Sequence, residues 1–407
     1  MQFERNERAE RAILVGLRDG RPGGGAGRRA APGSSAAAQE HELPPLPEPE
    51  SDGDATLAEL ELLTRTAGGR VAGRLRMRRA ARHPATFLSK GKLAELQRLV
   101  TVAAAELVIF DDDLSPAQAR NLQRATERKV VDRTELILDI FARRAQTREA
   151  KLQVELAQLQ YLLPRLTRMW GHLSRLGGGI GTRGPGETQL EVDRRRVREK
   201  IATLKRRLGE ISKEREIQSR RRQRLFRASM VGYTNAGKST LFNALTRAGV
   251  LEEDLLFATL ETTTRRLYLP RDGGAGETIL LSDTVGFIRK LPHHLVASFR
   301  ATLQEVRESD LLIHVVDASQ PDYPAQMRAV EEVVAELVHG GAVRWMLVLN
   351  KSDRLSEEDR LALRARFPQA DLLSALDPHD VQLYRGALAT EIRRDRGQRL
   401  PRDREAR

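Results

Sequence analysis

FRASMVGYTNAGKSTLFNALTR, residues 226–247, reads as a short apolar strand, a glycine-bearing turn and a helix. It fits G-x-x-x-x-G-K-[ST] in the strand–loop–helix setting that gives the pattern its meaning. Gly232 and Gly237 let the backbone of Tyr233, Thr234, Asn235 and Ala236 wrap, so that N–H groups converge on phosphate oxygens. The helix entered at Lys238, Ser239 and Thr240 points its positive end at the same phosphates. Lys238 supplies a compact charge to the β- and γ-phosphates, and Ser239 offers a hydroxyl to Mg²⁺.

The loop does not choose a base. VRWMLVLNKSD does, because an apolar strand at 343–349 ends in Asn350, Lys351, Ser352 and Asp353. A carboxylate accepts two hydrogen bonds from guanine's N1–H and amino group. Adenine has no such pair of donors, so a buried Asp353 is left unpaired against it. Asn350 is placed to brace the phosphate loop and contact the base edge. The stem of Lys351 can lie over the ring. DLLSALD reads as a strand at 371–377 that brings the N–H groups of Ser374, Ala375 and Leu376 to the guanine oxygen.

Between these motifs lies TILLSDTVGF, a strand at 278–281 leading into Asp283, Thr284, Val285 and Gly286. Asp283 would hold Mg²⁺ through a water, and the Gly286 N–H would approach the γ-phosphate. Loss of that phosphate would release the segment that follows, giving a two-state switch. Lys238, Asp283 and Gly286 are therefore the expected catalytic groups. A second switch should give Mg²⁺ a threonine, and LFATLETTTRRL at 256–267 offers Thr259, Thr262, Thr263 and Thr264 without choosing among them. Phe287 stands where Ras-like proteins use a glutamine to orient water, so intrinsic hydrolysis is expected to be slow.

Upstream, RAILVGL at 11–17 reads as a buried strand, and residues 18–55 as a disordered Gly/Pro/Ala insertion. Helices near 56–67, 92–102 and 115–126 alternate with strands near 70–78, 106–112 and 129–133, the signature of a small α/β domain. Ser115 and Pro116 mark one helix start. Leu152, Leu156, Leu159 and Leu163 form one heptad seam. Leu190, Val197, Ile201, Leu204, Leu208 and Ile211 form another. An antiparallel helical hairpin with a glycine-rich tip at 177–187 is expected. The expected fold is thus α/β: a tail at 1–10, an α/β domain at 11–148, a basic hairpin linker at 149–225, a Ras-like P-loop GTPase domain at 226–393 and a basic tail at 394–407.

Charge points to a partner. The chain of 407 residues has a net charge of +13, and residues 194–224 hold fourteen Lys/Arg against four Asp/Glu. A rigid basic arm suits a polyanion. Arg165, Arg168, Arg175 and Arg183 near the tip suit phosphates, while Trp170 either stacks on a base or packs at the hairpin end. The Arg220–Arg222 run is either part of that face or a solvated linker. Narrow heptad seams favour RNA over a membrane face, so membrane association is not expected, or only peripheral. A GTP-gated scaffold, or a GTPase of ribosome assembly or tRNA modification, is the alternative. The last would want a reactive cysteine, and the chain has none. No apolar run spans a bilayer and no signal-peptide core precedes the first strand, so a cytoplasmic protein is expected.

GYTNAGKSTLFN, LFATL, DTVGFIRKLPHHLVASFRATLQE and NKSD resemble the GTPase domain of the HflX family, in the TrmE–Era–EngA–Obg-like superfamily. LSPAQARNLQ, VVDRTELILDIFARRAQTREAKLQVELAQLQYLLPRL and GGIGTRGPGETQLEVDRR resemble its N-terminal domain and helical linker. The resemblance implies a monomeric, Mg²⁺-dependent GTP hydrolase. Its implied partner is the large ribosomal subunit and that subunit's RNA, and its role is to split or rescue ribosomes under stress. It implies a first switch at Phe257, Ala258, Thr259, Leu260 and Glu261, with Thr259 and Ser239 on the metal. FATLETTT lacks the proline usual after this motif, and Ser89-Lys90-Gly91-Lys92 lacks one glycine of the usual turn.

Overall fold

The computed structural model describes residues 9–18, 52–78, 82–166, 189–220, 225–246, 248–249, 256–257, 259–271, 274–290, 304–338 and 343–405. These residues divide into two compact units that part between Arg215 and Glu216.

The first unit alternates β1 (Arg11–Arg18), α1 (Asp52–Thr66), β2 (Arg70–Arg78), α2 (Lys90–Val102), β3 (Leu107–Phe110), α3 (Pro116–Thr126), β4 (Lys129–Asp132) and α4 (Arg133–Arg144). The sheet order is β2-β1-β3-β4, and every pairing is parallel. Parallel strands covered on both faces need apolar side chains on both, and LVIF of β3 is buried throughout. Ile13, Val15, Leu75, Leu96, Val108, Phe110 and Leu122 share its core. At the start of α3, Ser115 and Gln118 complete a reciprocal capping box ahead of Pro116.

Helix α5 (Arg148–Leu162) passes into a 3-10 turn at Leu163–Leu166, and α6 runs Gln189–Arg220. Leu152, Leu156 and Leu204 form the buried seam between them, flanked by Leu159, Ile201, Leu208 and Ile211. Leu163 and Val197 fall outside that cluster, so the seam is shorter than expected. Arg165 is also reassigned. Its guanidinium lies 3.4 Å from the centre of the Tyr161 ring. It donates to Leu114 O and to Asp132 Oδ2, each at 2.9 Å. Arg165 ties the end of α5 to the ends of β3 and β4 and is not a free cation for RNA. Trp170, Arg168, Arg175, Arg183 and the glycine-rich tip lie outside the described residues.

Two expected boundaries shift. Helix α1 starts at Asp52 and Arg18 belongs to β1, so the insertion is bounded by 19–51, which lies outside the described residues.

The second unit contains β5 (Arg227–Gly232), α7 (Lys238–Thr246), β6 (Thr263–Arg271), β7 (Gly274–Asp283), β8 (Leu311–Asp317), α8 (Tyr323–Leu337), β9 (Arg344–Asn350), α9 (Glu357–Arg366), β10 (Asp371–Leu372) and α10 (Pro378–Glu405). Its order is β10-β9-β8-β5-β7-β6, parallel except for the antiparallel β6–β7 pair. One core joins Met230, Leu241, Phe242, Leu281, Ile313 and Val348 to Tyr384 and Leu388 of α10. Three differences from expectation follow. Ser374–Leu376 lie in the loop after a two-residue β10, not in a strand. The expected basic tail at 394 lies within α10. Strand β7 begins at Gly274, because β6 supplies an antiparallel partner from Asp283 back to Glu277 and, past an irregularity, at Gly274. Among the described residues, no helix is long and apolar enough to cross a membrane.

Candidate nucleotide site

The carboxyl ends of β5, β7 and β9 deliver the three sequence motifs to one edge of the sheet, where open α/β folds bind ligands. The turn after β5 takes Asn235 to φ +61 and Gly237 to φ +88. Asparagine tolerates that left-handed region, and glycine is at home there. A Cβ on Gly237 would come 2.2 Å from Asn350 Nδ2, so space as well as φ requires glycine. A Cβ on Gly232 would meet Val315 O at 2.2 Å.

Lys238 is buried, and its amine donates to Gly232 O at 3.2 Å and Tyr233 O at 2.9 Å. Burial lowers its pKa to about 8, against the pull of the Asp283 carboxylate. Ser239 Oγ lies 2.6 Å from Thr259 Oγ1 and 2.7 Å from Asp283 Oδ2. The structure thus sets Thr259 apart from its neighbours, because Thr263 and Thr264 belong to β6, with Thr264 Oγ1 2.8 Å from Ser282 Oγ. Asp283 is fully buried and its Oδ1 has no hydrogen-bond partner. Burial raises its pKa, opposed by Lys238, Ser239 and Thr259. Two hydroxyls and one carboxylate form an all-oxygen donor set, which fits a hard cation such as Mg²⁺.

Thr284 is locked by its hydroxyl, which donates to Met230 O at 2.6 Å. Val285 is buried. Gly286 lies against the phosphate loop: a Cβ there would sit 2.8 Å from Thr234 Cα and 3.1 Å from Lys238 Nζ. Phe287 pairs with Tyr233 as a parallel bridge. Thr234 N donates to Phe287 O at 2.7 Å, and Phe287 N donates to Gly232 O at 3.1 Å. Its ring is buried, so no polar side chain occupies the position after Gly286. In the first switch, Phe257 and Leu260 are buried and Glu261 is half-buried, while Ala258 lies outside the described residues.

Asn350 joins three loops. Its Nδ2 donates to Ala236 O at 2.9 Å, and its Oδ1 accepts from Ala375 N at 3.0 Å. Lys351 sits at φ +62, donates to Asn235 O at 2.8 Å and pairs with Asp317 at 2.8 Å. Asn350 was expected to brace the phosphate loop, whereas the Lys351 cross-link was not legible in the motif spacing. Ser352 is buried. Two expectations about the base side change. Asp353 is exposed rather than buried, because it lies in the turn after β9, where its Oδ1 accepts from Ser374 Oγ at 2.6 Å. The expected donors of the last loop are already paired. Ser374 N donates to Asp380 at 2.8 Å, Ala375 N to Asn350, and Leu376 N to Ser374 Oγ at 3.3 Å.

A phosphate loop, an aspartate–glycine segment and an asparagine–lysine turn, stapled together on one sheet edge, place this chain among the P-loop GTPases. Family profiles match in register with the fold. One described as a GTP-binding GTPase N-terminal region covers residues 54–142, and a GTP-binding GTPase middle region covers 144–222. A 50S ribosome-binding GTPase profile covers 227–351. The GTPase HflX of Alkalihalophilus pseudofirmus is 48% identical over 337 residues, 78% of each chain. That of Escherichia coli K12 is 50% identical over 303 residues, covering 74% of this chain and 70% of its own. The chain belongs to the HflX family of GTPases.

Proposed function

We propose that this GTPase binds the large ribosomal subunit in its GTP state and splits or rescues ribosomes, with hydrolysis timing its release. The reading assigns the N-terminal α/β domain at 11–148 and the hairpin at 149–225 to ribosome contact, and residues 226–393 to the switch. It acts as a cytoplasmic monomer. The observation that carries it is helix α6, joined in one chain to a GTPase domain of the 50S-binding type. Arg195, Arg196, Arg198, Lys200, Lys205, Arg206, Arg207 and Lys213 stand exposed on that helix while its leucine seam is satisfied by α5. Such a face binds phosphates with strong salt dependence and, among the described residues, has no apolar stripe left for a membrane.

In the nucleotide site, the amides of residues 237–239 and the Lys238 amine hold the phosphates. Ser239 and Thr259 would hold Mg²⁺, with Asp283 holding it through a water. The bound cation neutralises charge that develops on the phosphates. Asp353 selects guanine, Asn350 keeps the base and phosphate loops in register, and Leu376 N–H exchanges its long bond to Ser374 for the guanine oxygen. Gly286 N–H reports the γ-phosphate.

Co-sedimentation with purified ribosomal subunits tests the proposal, comparing a non-hydrolysable GTP analogue, GDP and no nucleotide at moderate salt. Pelleting with the large subunit in the GTP-like state alone is expected. Absence of binding in every state overturns the ribosomal assignment and leaves the GTPase.

A further inference from the structure

Phe287 leaves a gap in the chemistry. It is buried, its main chain is paired with the phosphate loop, and its ring offers nothing to a water molecule. Hydrolysis nonetheless needs the attacking water aligned with the γ-phosphorus. One polar group beside Gly286 has no other task. Thr234 is 6% exposed, and its side-chain oxygen is buried without any hydrogen-bond partner. The usual resolution for such a group is a partner supplied by a ligand or water.

Its location fits that partner. Thr234 Cα and Cγ2 each lie 2.8 Å from the point where a Cβ on Gly286 would sit, and Lys238 Nζ lies 3.1 Å from the same point. Thr234 thus packs its methyl group against the residue that reports the γ-phosphate, beside the amine that neutralises it, with the hydroxyl on the other branch of the same carbon. Its backbone N–H is already used by Phe287 O, so the hydroxyl is the group left to act. A hydroxyl donates once and accepts twice.

We propose that Thr234 is a catalytic residue: Oγ1 accepts a hydrogen bond from the attacking water and donates one to a γ-phosphoryl oxygen. The water oxygen bonds to the γ-phosphorus as the bond to the bridging oxygen of GDP breaks. The water proton leaves with inorganic phosphate, and threonine neither gains nor loses one. The orientation that Ras-like proteins obtain from a glutamine is supplied here from the phosphate loop.

The inference rests on the GTPase reading of this site, and the parent protein controls for it: a parent without GTP hydrolysis sinks that reading. Thr234→Val keeps the shape and removes the hydroxyl; Thr234→Ser restores it. Three quantities are measured: single-turnover GTP hydrolysis, GDP affinity, and affinity for GDP with aluminium fluoride and Mg²⁺. Thr234→Val should slow hydrolysis about 10- to 100-fold and weaken the aluminium fluoride complex by a like factor, the worth of one charge-assisted bond. GDP affinity should stay within about two-fold, because GDP carries no γ-phosphoryl group for the hydroxyl to bind. Thr234→Ser should return both losses. Hydrolysis by Thr234→Val within about two-fold of the parent overturns the inference, as does an equal weakening of GDP and its aluminium fluoride complex. If Thr234→Val does not fold, Thr234→Ala is read by the same criteria.

Discussion

Asn350→Ala is the substitution for which the structure gives the largest effect from the fewest atoms. Asn350 is 2% exposed, and its amide bridges Ala236 O and Ala375 N at 2.9 and 3.0 Å. Both backbone partners belong to buried residues. Alanine removes both bonds and leaves a carbonyl and an N–H orphaned, each at about 1–3 kcal/mol. The expected loss is therefore about 2–6 kcal/mol, a large share of the roughly 5–15 kcal/mol that holds a domain folded. Urea unfolding of the full chain without nucleotide, followed by circular dichroism, measures it. GDP affinity should fall in parallel, because the phosphate loop and the base loops lose their common brace. Asn350→Asp sharpens the reading: it keeps the acceptor for Ala375 N but turns a carboxylate towards Ala236 O, so it should be no milder. A loss below about 0.5 kcal/mol with unchanged GDP affinity would refute the staple.

Three further outcomes are expected. Lys238→Ala should weaken GTP binding by about 100-fold or more in a direct titration, since a charge-assisted contact to phosphate disappears. Gly286→Ala should bring GTP and GDP affinities together in competition binding, because its Cβ collides with Thr234 and holds the switch segment away from the γ-phosphate. His314 is buried with both ring nitrogens unpartnered, and burial together with the nearby Lys238 charge lowers its pKa to about 3. The unfolded chain then binds a proton below its ordinary value of 6.5 that the folded chain does not, so stability falls as pH drops from 6.5 towards 3. Burial raises the Asp283 and Asp371 pKa values and works in the opposite direction, so the comparison is with His314→Phe. From pH 7.5 to pH 5 the parent should lose about 2 kcal/mol relative to the variant in urea melts.

The motifs of the site were legible because each is local: a strand, a turn and a few side chains within a dozen residues. The phosphate loop, Asp283–Gly286 and Asn350–Asp353 all needed only that. What escaped notice depends on distant pairs. The Asn350 brace on the phosphate loop was expected, but its second bond, from Ala375 N, and the Lys351 bond to Asn235, 116 residues away, leave no mark on spacing. Asp353 was expected to be buried because a carboxylate meeting a base suggests a pocket, yet its turn lies at the open end of the sheet. Position alone did not choose among four threonines in one stretch; the family resemblance pointed to Thr259, and β6 claims Thr263 and Thr264 as strand residues. Strand β6 itself was hidden because its arginines obscure the alternation that Leu267 and Leu269 supply. Arg165 looked like one more cation on a basic arm, and only the fold brings Asp132 and Leu114 to it.

The central claim is a guanine-selective switch that controls ribosome binding, and Asp353→Asn tests both halves at once. An amide there donates where the carboxylate accepted, so the variant should prefer xanthosine nucleotides. It should pellet with the large ribosomal subunit when given a non-hydrolysable xanthosine triphosphate analogue and remain in the supernatant with the guanosine analogue. Pelleting with the guanosine analogue as the parent does, or pelleting regardless of nucleotide, would contradict the account.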